Sequence, residues 1–185
     1  MCITIQEGNW AGCRQDNRHE RLRRLWDKGN DLHVFGYTES KLGEKHYGGY
    51  RRAHRGYGDA FLIRVTETGD LLWARQFGTR GWDKTLHVAR FTDGSGDVLA
   101  GGCQYPSGKA CQAFCRRYSP QGKLIWTRVF SKRSARGGTC GRAVAIDSDN
   151  NCYHAGPTHA DQFGINNGTT NIFLVRFDGM PETLP

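Results

Sequence analysis

The sequence has no run of about 18 apolar residues of the kind a membrane helix requires, so no membrane span is expected. Its first residues, Met1 to Gln15, carry no apolar core between a basic start and a small-residue cleavage site, so no export signal is visible. Proline is scarce, 5 in 185 residues, which argues against a Pro-rich linker. The seven cysteines (Cys2, Cys13, Cys103, Cys111, Cys115, Cys140, Cys152) include no C-x-x-C pair, and this removes the usual zinc-ribbon and thioredoxin-like readings. The seven histidines form no H-x-x-x-H or H-E-x-x-H spacing, and G-x-S-x-G and G-x-G-x-x-G are both missing. No nucleophile, base, metal or phosphate-cradling constellation therefore assembles, and a non-catalytic chain without a cofactor is expected.

What is present begins with glycine. Its 25 residues are nearly twice the roughly 7% background and point to many tight turns between short strands. Hydrophobic and charged fractions are those of an ordinary folded protein. The net charge of +8 is spread along the chain, and its one dense run, Arg14 to Arg24, is interrupted by Asp16 and Glu20. A solvated basic surface is the expectation, rather than a nucleic-acid site.

The chain repeats itself. Ala60 to Phe77 (AFLIRVTETGDLLWARQF) lies over Ala113 to Phe130 (AFCRRYSPQGKLIWTRVF) without a gap, with 8 of 18 positions identical, among them Phe61/Phe114, Gly69/Gly122, Trp73/Trp126 and Phe77/Phe130. A third copy starts at Asn171 and places Phe173 and Arg176 where Phe61 and Arg64 stand. A second element, from Asp to Gly over ten positions, recurs from Asp27, Asp93 and Asp147. Alternation at Phe61, Ile63 and Val65, a turn at Thr66 to Asp70 and a strand from Leu71 to Phe77 make a hairpin. A strand near Leu86 to Thr92, a Gly/Asp turn at Asp93 to Asp97 and a strand from Val98 to Gly102 complete four antiparallel strands per repeat.

The order D-A-F-x-x-R from Asp59, G-D-L-L-W-x-R-Q-F-G-T from Gly69 and D-G-S-G-D-V-x-x-x-G from Asp93 resembles the seven-bladed β-propeller repeat family (SBBP repeats). Gly36-Tyr37-Thr38-Glu39 with Leu42-Gly43 resembles the close of one such repeat, and the similarity runs from about Asp27 to Gly179. The resemblance implies an all-β partial propeller of four-stranded blades. Its expected divisions are an irregular N-terminal segment (1–25), a partial blade and connector (26–58), a blade (59–111), a second blade (112–170) and the start of a further one (171–185). Repeats 53 to 59 residues long leave room for about three blades, short of the roughly four that the smallest rings use, so the ring is expected to stay open. Open edges favour self-association. The resemblance also implies an exported or cell-surface setting.

Individual residues carry further expectations. Trp73 and Trp126, at one repeat position, are expected to pack between blades, and Trp82, in a connector, to be the surface aromatic. Arg116 replaces the apolar Ile63 and Val175 and reads as an unpaired charge on an inward position. Asp147, Asp149 and Asn151 match the first half of a calcium loop, although Cys152 replaces its glycine and the same residues suit a tight turn. Cys152 with His154 and His159 is a weaker transition-metal grouping. Asn167-Gly168-Thr169 is an N-glycosylation sequon. The function expected is a binding or scaffold module for a protein or glycan ligand. The rivals are an enzyme fragment completed by missing blades and a basic surface for polyanions.

Overall fold

The computed structural model describes residues 3–6, 9–12, 21–26, 31–39, 57–106, 109–130, 137–161 and 170–179. They form thirteen strands and no α-helix, so among them no helix is long and apolar enough to cross a membrane. Ile3–Gln6 (β1) and Asn9–Gly12 (β2) make a two-stranded hairpin. The first sheet joins Arg21–Trp26 (β3), Leu32–Thr38 (β4), Asp59–Val65 (β5) and Leu71–Phe77 (β6) in that order. Asp83–Arg90 (β7), Val98–Gln104 (β8), Gln112–Tyr118 (β9) and Leu124–Phe130 (β10) form the second sheet, again in chain order. The third has Ala143–Ile146 (β11), Asn151–Thr158 (β12) and Asn171–Asp178 (β13). All pairings within the three sheets are antiparallel, and the arrangement is unclosed.

The strands read from the repeat are present, but sheet and repeat are out of phase. Hairpin β5–β6 closes the sheet begun by β3 and β4 instead of opening the sheet of β7 and β8. β4 and β5 are buried almost throughout, so each needs cover on both faces, and they pair without a break from Leu32↔Val65 to Thr38↔Asp59. After Phe77, the five residues Gly78 to Trp82 carry the chain to the next sheet. Segments 59–111 and 112–170 thus each straddle two sheets. The expectation of an irregular segment over 1–25 also fails, because β1, β2 and most of β3 lie there. Arg21–Trp26 hides its strand character behind arginines, and its pairing with β4, from Arg21↔Tyr37 to Trp26↔Leu32, imposes the extended form.

Two interlayer cores hold the stack. Between the first and second sheets, Phe35, Leu62, Trp73 and Phe77 meet Val88, Val98, Phe114 and Tyr118. Between the second and third, Phe91, Leu99, Cys115, Trp126 and Phe130 meet Val144, Cys152 and Phe177. The contacts repeat because the residues repeat: Trp73 stacks on Tyr118 at 6.3 Å, and Trp126 meets Phe177 edge-on at 6.0 Å. A further cluster, Leu32, Val34, Phe61, Ile63 and Val65, lies on the opposite face of the first sheet. On the third sheet, Ile172 and Leu174 occupy the places of Ala60/Ala113 and Leu62/Cys115. Those four are fully buried, whereas Ile172 is 86% and Leu174 67% exposed. The third sheet therefore offers water the face that its predecessors bury.

Candidate binding site

Polar groups tie each sheet to the next in the same way twice. The Trp73 indole N–H donates to the Pro120 carbonyl at 2.8 Å, and Arg64 donates to the same oxygen at 2.7 Å. At the second interface Trp126 and Arg117 donate to the Gly179 carbonyl at 3.0 and 2.8 Å. Behind each arginine stands an acid at the fifth position of the Asp-to-Gly element: Asp31 at 2.7 Å from Arg64, and Asp97 at 2.6 Å from Arg117. A buried indole N–H or guanidinium needs an acceptor, and a carbonyl just beyond the end of β9 or of β13 supplies one. Gly122 makes this approach feasible, since its φ of +72° is ill suited to other residues and an added Cβ would stand 2.6 Å from the Trp73 ring.

Beside this lock the first two sheets leave a cavity of about 500 Å³, between the end of β6 and the β9–β10 turn. Arg75 and Phe77 of β6, Arg116 and Tyr118 of β9, and Gln121 and Lys123 of the turn line it. Three cations border it, and its lining contains no carboxylate. Arg75 is fixed by donating to the Gly122 and Ala74 carbonyls at 2.6 and 2.8 Å. Arg116 lies over the Phe77 ring, 4.0 Å from guanidinium carbon to ring centroid. The Tyr118 hydroxyl is hydrogen-bonded to Arg116; burial pushes its phenol pKa up and the guanidinium pulls it back. The Arg116 Nε is buried with no hydrogen-bond partner.

This corrects the reading of Arg116. It is half-buried against an aromatic face and a phenol, so it is no unpaired charge sealed between sheets. At the second interface the equivalent place is Val175 and the tyrosine is Phe177, so the two interfaces differ in this polar pair. The signal was in the sequence, where Arg116 stood out as a repeat position that broke its own rule.

No family model matches this chain, and no curated protein matches it. The reading of its function therefore rests on its own residues.

The other singled-out residues fall elsewhere. Asp147 is the hub of the β11–β12 turn: its carboxylate accepts from the Asp149 and Asn151 backbone N–H groups at 3.0 and 2.8 Å and from the Tyr153 hydroxyl at 2.9 Å. The Asn151 amide nitrogen also donates to it, at 3.1 and 2.9 Å, and holds the carboxyl below its ordinary pKa. Asp147 and Asn151 thus bond each other within the turn, and Asp149 is exposed. All three calcium-loop residues lie in this one turn. His154 is buried with Nδ1 3.2 Å from the Cys115 Sγ, while His159 is exposed beside Thr170, so Cys152, His154 and His159 do not converge. Trp73 is in the core as expected, and Trp126 is half-buried. Trp82 is half-buried too, stacked on Tyr57 at 6.4 Å and edge-on to Tyr37 at 5.7 Å. The sequon at 167–169 lies outside the described residues.

Proposed function

We propose that this chain is a non-catalytic binding module built from propeller-type blades of the SBBP repeat kind, and that the cationic cavity between its first two sheets takes a carboxylate-bearing sugar of an acidic glycan. For the blade reading, the support is that each four-stranded sheet follows chain order and that the same Trp–Arg–carbonyl lock recurs at both interfaces. For the ligand, one observation carries the reading: Arg116 stands where its repeat equivalents are Ile63 and Val175, and it faces a cavity free of acids. Guanidinium groups pair with carboxylates in a planar fork, and the Phe77 and Tyr118 rings offer an apolar wall for a sugar ring. A volume of about 500 Å³ is that of an ordinary small-ligand site.

Nuclear magnetic resonance titration with glucuronate and with neutral glucose tests this. Glucuronate is expected to shift amides at Tyr118 and Gly122, glucose to leave them in place, and Arg116→Ile, which restores the repeat residue, to abolish the response. Glucuronate shifts that persist in Arg116→Ile would overturn the site. Binding of heparin that collapses with salt and ignores the Arg116 substitution would favour a diffuse polyanion surface.

A further inference from the structure

Three cysteines, the last of them 29 residues beyond the second, meet at one end of the second and third sheets. Cys103 closes β8, Cys111 precedes β9 and Cys140 precedes β11, and their sulfurs all lie within 4.8 Å of one another. Cys111 and Cys140 are joined as a disulfide, leaving Cys103 as a buried third thiol beside it. Cross-strand pairing fixes the frame: the Thr139 N–H donates to the Cys111 carbonyl at 2.8 Å, and that of Cys140 to the Pro157 carbonyl at 3.0 Å. The Tyr105 hydroxyl is 3.2 Å from the Cys140 Sγ and is also hydrogen-bonded to Cys103. Burial raises the Cys103 thiol pKa, and the nearby Arg142 and Lys84 cations only partly offset it.

The geometry points to a three-thiolate site for a soft divalent cation of the zinc type, formed when the Cys111–Cys140 bond is reduced. Three converging sulfurs match the thiolate-rich chemistry that selects such ions, with metal–sulfur bonds of about 2.3 Å. The chemistry balances in two steps. A dithiol gives two electrons and two protons to the Cys111–Cys140 bond, ending as its own cyclic disulfide and leaving two thiols. The cation then displaces the protons of Cys103, Cys111 and Cys140 and binds three thiolates, a unit of net charge −1 that Lys84 and Arg142 offset. Tyr105 orients the sulfurs by hydrogen bonding, and the fourth coordination position is left to water. Oxidation to the disulfide withdraws two of the three ligands, so metal binding here is governed by redox state. Nothing in this site depends on the glycan reading, since its residues line no part of that cavity.

The test uses the full chain, reduced with a phosphine under nitrogen, and cobalt(II) as probe. One equivalent is expected to produce sulfur-to-cobalt charge-transfer absorption in the near ultraviolet, which zinc then bleaches. Cys103→Ala and Cys140→Ser should each remove the absorption, while Cys115→Ala and Cys152→Ala keep it; circular dichroism checks that each variant remains a β protein. A second readout needs no substitution: stoichiometric zinc should slow alkylation of Cys111 and Cys140 by an order of magnitude, mapped by mass spectrometry. Lack of charge-transfer absorption, absorption that survives in folded Cys103→Ala, or unchanged alkylation at both cysteines would overturn the proposal.

Discussion

The Arg117 guanidinium and the Asp97 carboxylate sit 2.6 Å apart with both side chains less than a tenth exposed, and this pair repeats, at the second interface, the more open pairing of Arg64 with Asp31. Arg117 also bonds Asp93 at 3.1 Å and caps the Phe91 ring at 3.7 Å. Removing Asp97 leaves the buried Arg117 charge with the more open Asp93 as its remaining acid. Asp97→Ala is therefore expected to cost about 1.5 to 3 kcal/mol, measured by chemical denaturation. Asp31→Ala, at a pair about one-fifth exposed, should cost markedly less. Equal losses would show that burial does not set the strength of the lock.

Two buried groups give stability opposite slopes in one pH range. Burial, helped by nearby Asp59, raises the Asp83 carboxyl to about 6, against hydrogen bonds from Thr79 that lower it. The native state then holds the proton more tightly than the unfolded chain, so stability present below about pH 4 is lost as pH rises through 6. Burial lowers His154 to about 4, so the unfolded chain takes up the proton first and stability falls as pH drops from about 6.5 to 4. Asp83→Asn should unmask the histidine, with a melting temperature that drops steadily below pH 6.5. His154→Val should do the reverse, gaining stability on acidification over the same range. Melting curves from pH 4 to 7 decide this, and unchanged profiles in both variants would contradict it.

The exposed face of β13 predicts association. Ile172 and Leu174 present apolar surface at positions that every preceding sheet covers. Sedimentation is expected to show concentration-dependent self-association, and the double substitution Ile172→Lys with Leu174→Lys to suppress it with little loss of stability. A parent chain that stays monomeric at every concentration would show that this face needs no cover.

Much of the architecture was legible because it is written in local pattern. Phe61, Ile63 and Val65 alternate, Leu71–Phe77 ends in the aromatic that the next sheet needs, and Asp93 to Asp97 spells a turn with the glycines its backbone uses. Sheet phase was hidden, since it depends on which neighbour β5 chooses, and β3, which completes that sheet, is masked by arginines. The Cys103, Cys111 and Cys140 cluster was invisible for a similar reason: its spacings mean nothing until two sheets are stacked. Arg116 was noticed and misjudged, because a charge at a core position reads as damage until the space beside it is seen.

The lock between sheets is tested most directly by hydrogen exchange at the two indole N–H groups, assigned with Trp73→Phe and Trp126→Phe. Both are expected to exchange orders of magnitude more slowly than a solvent-exposed indole, because each is held by a carbonyl of the following sheet, Pro120 for Trp73 and Gly179 for Trp126. Asp97→Ala should speed exchange at Trp126, whose carbonyl Arg117 shares, far more than at Trp73. Exchange of both indoles at the rate of a free side chain would mean that the sheets are not locked face to face, and would contradict the account at its centre.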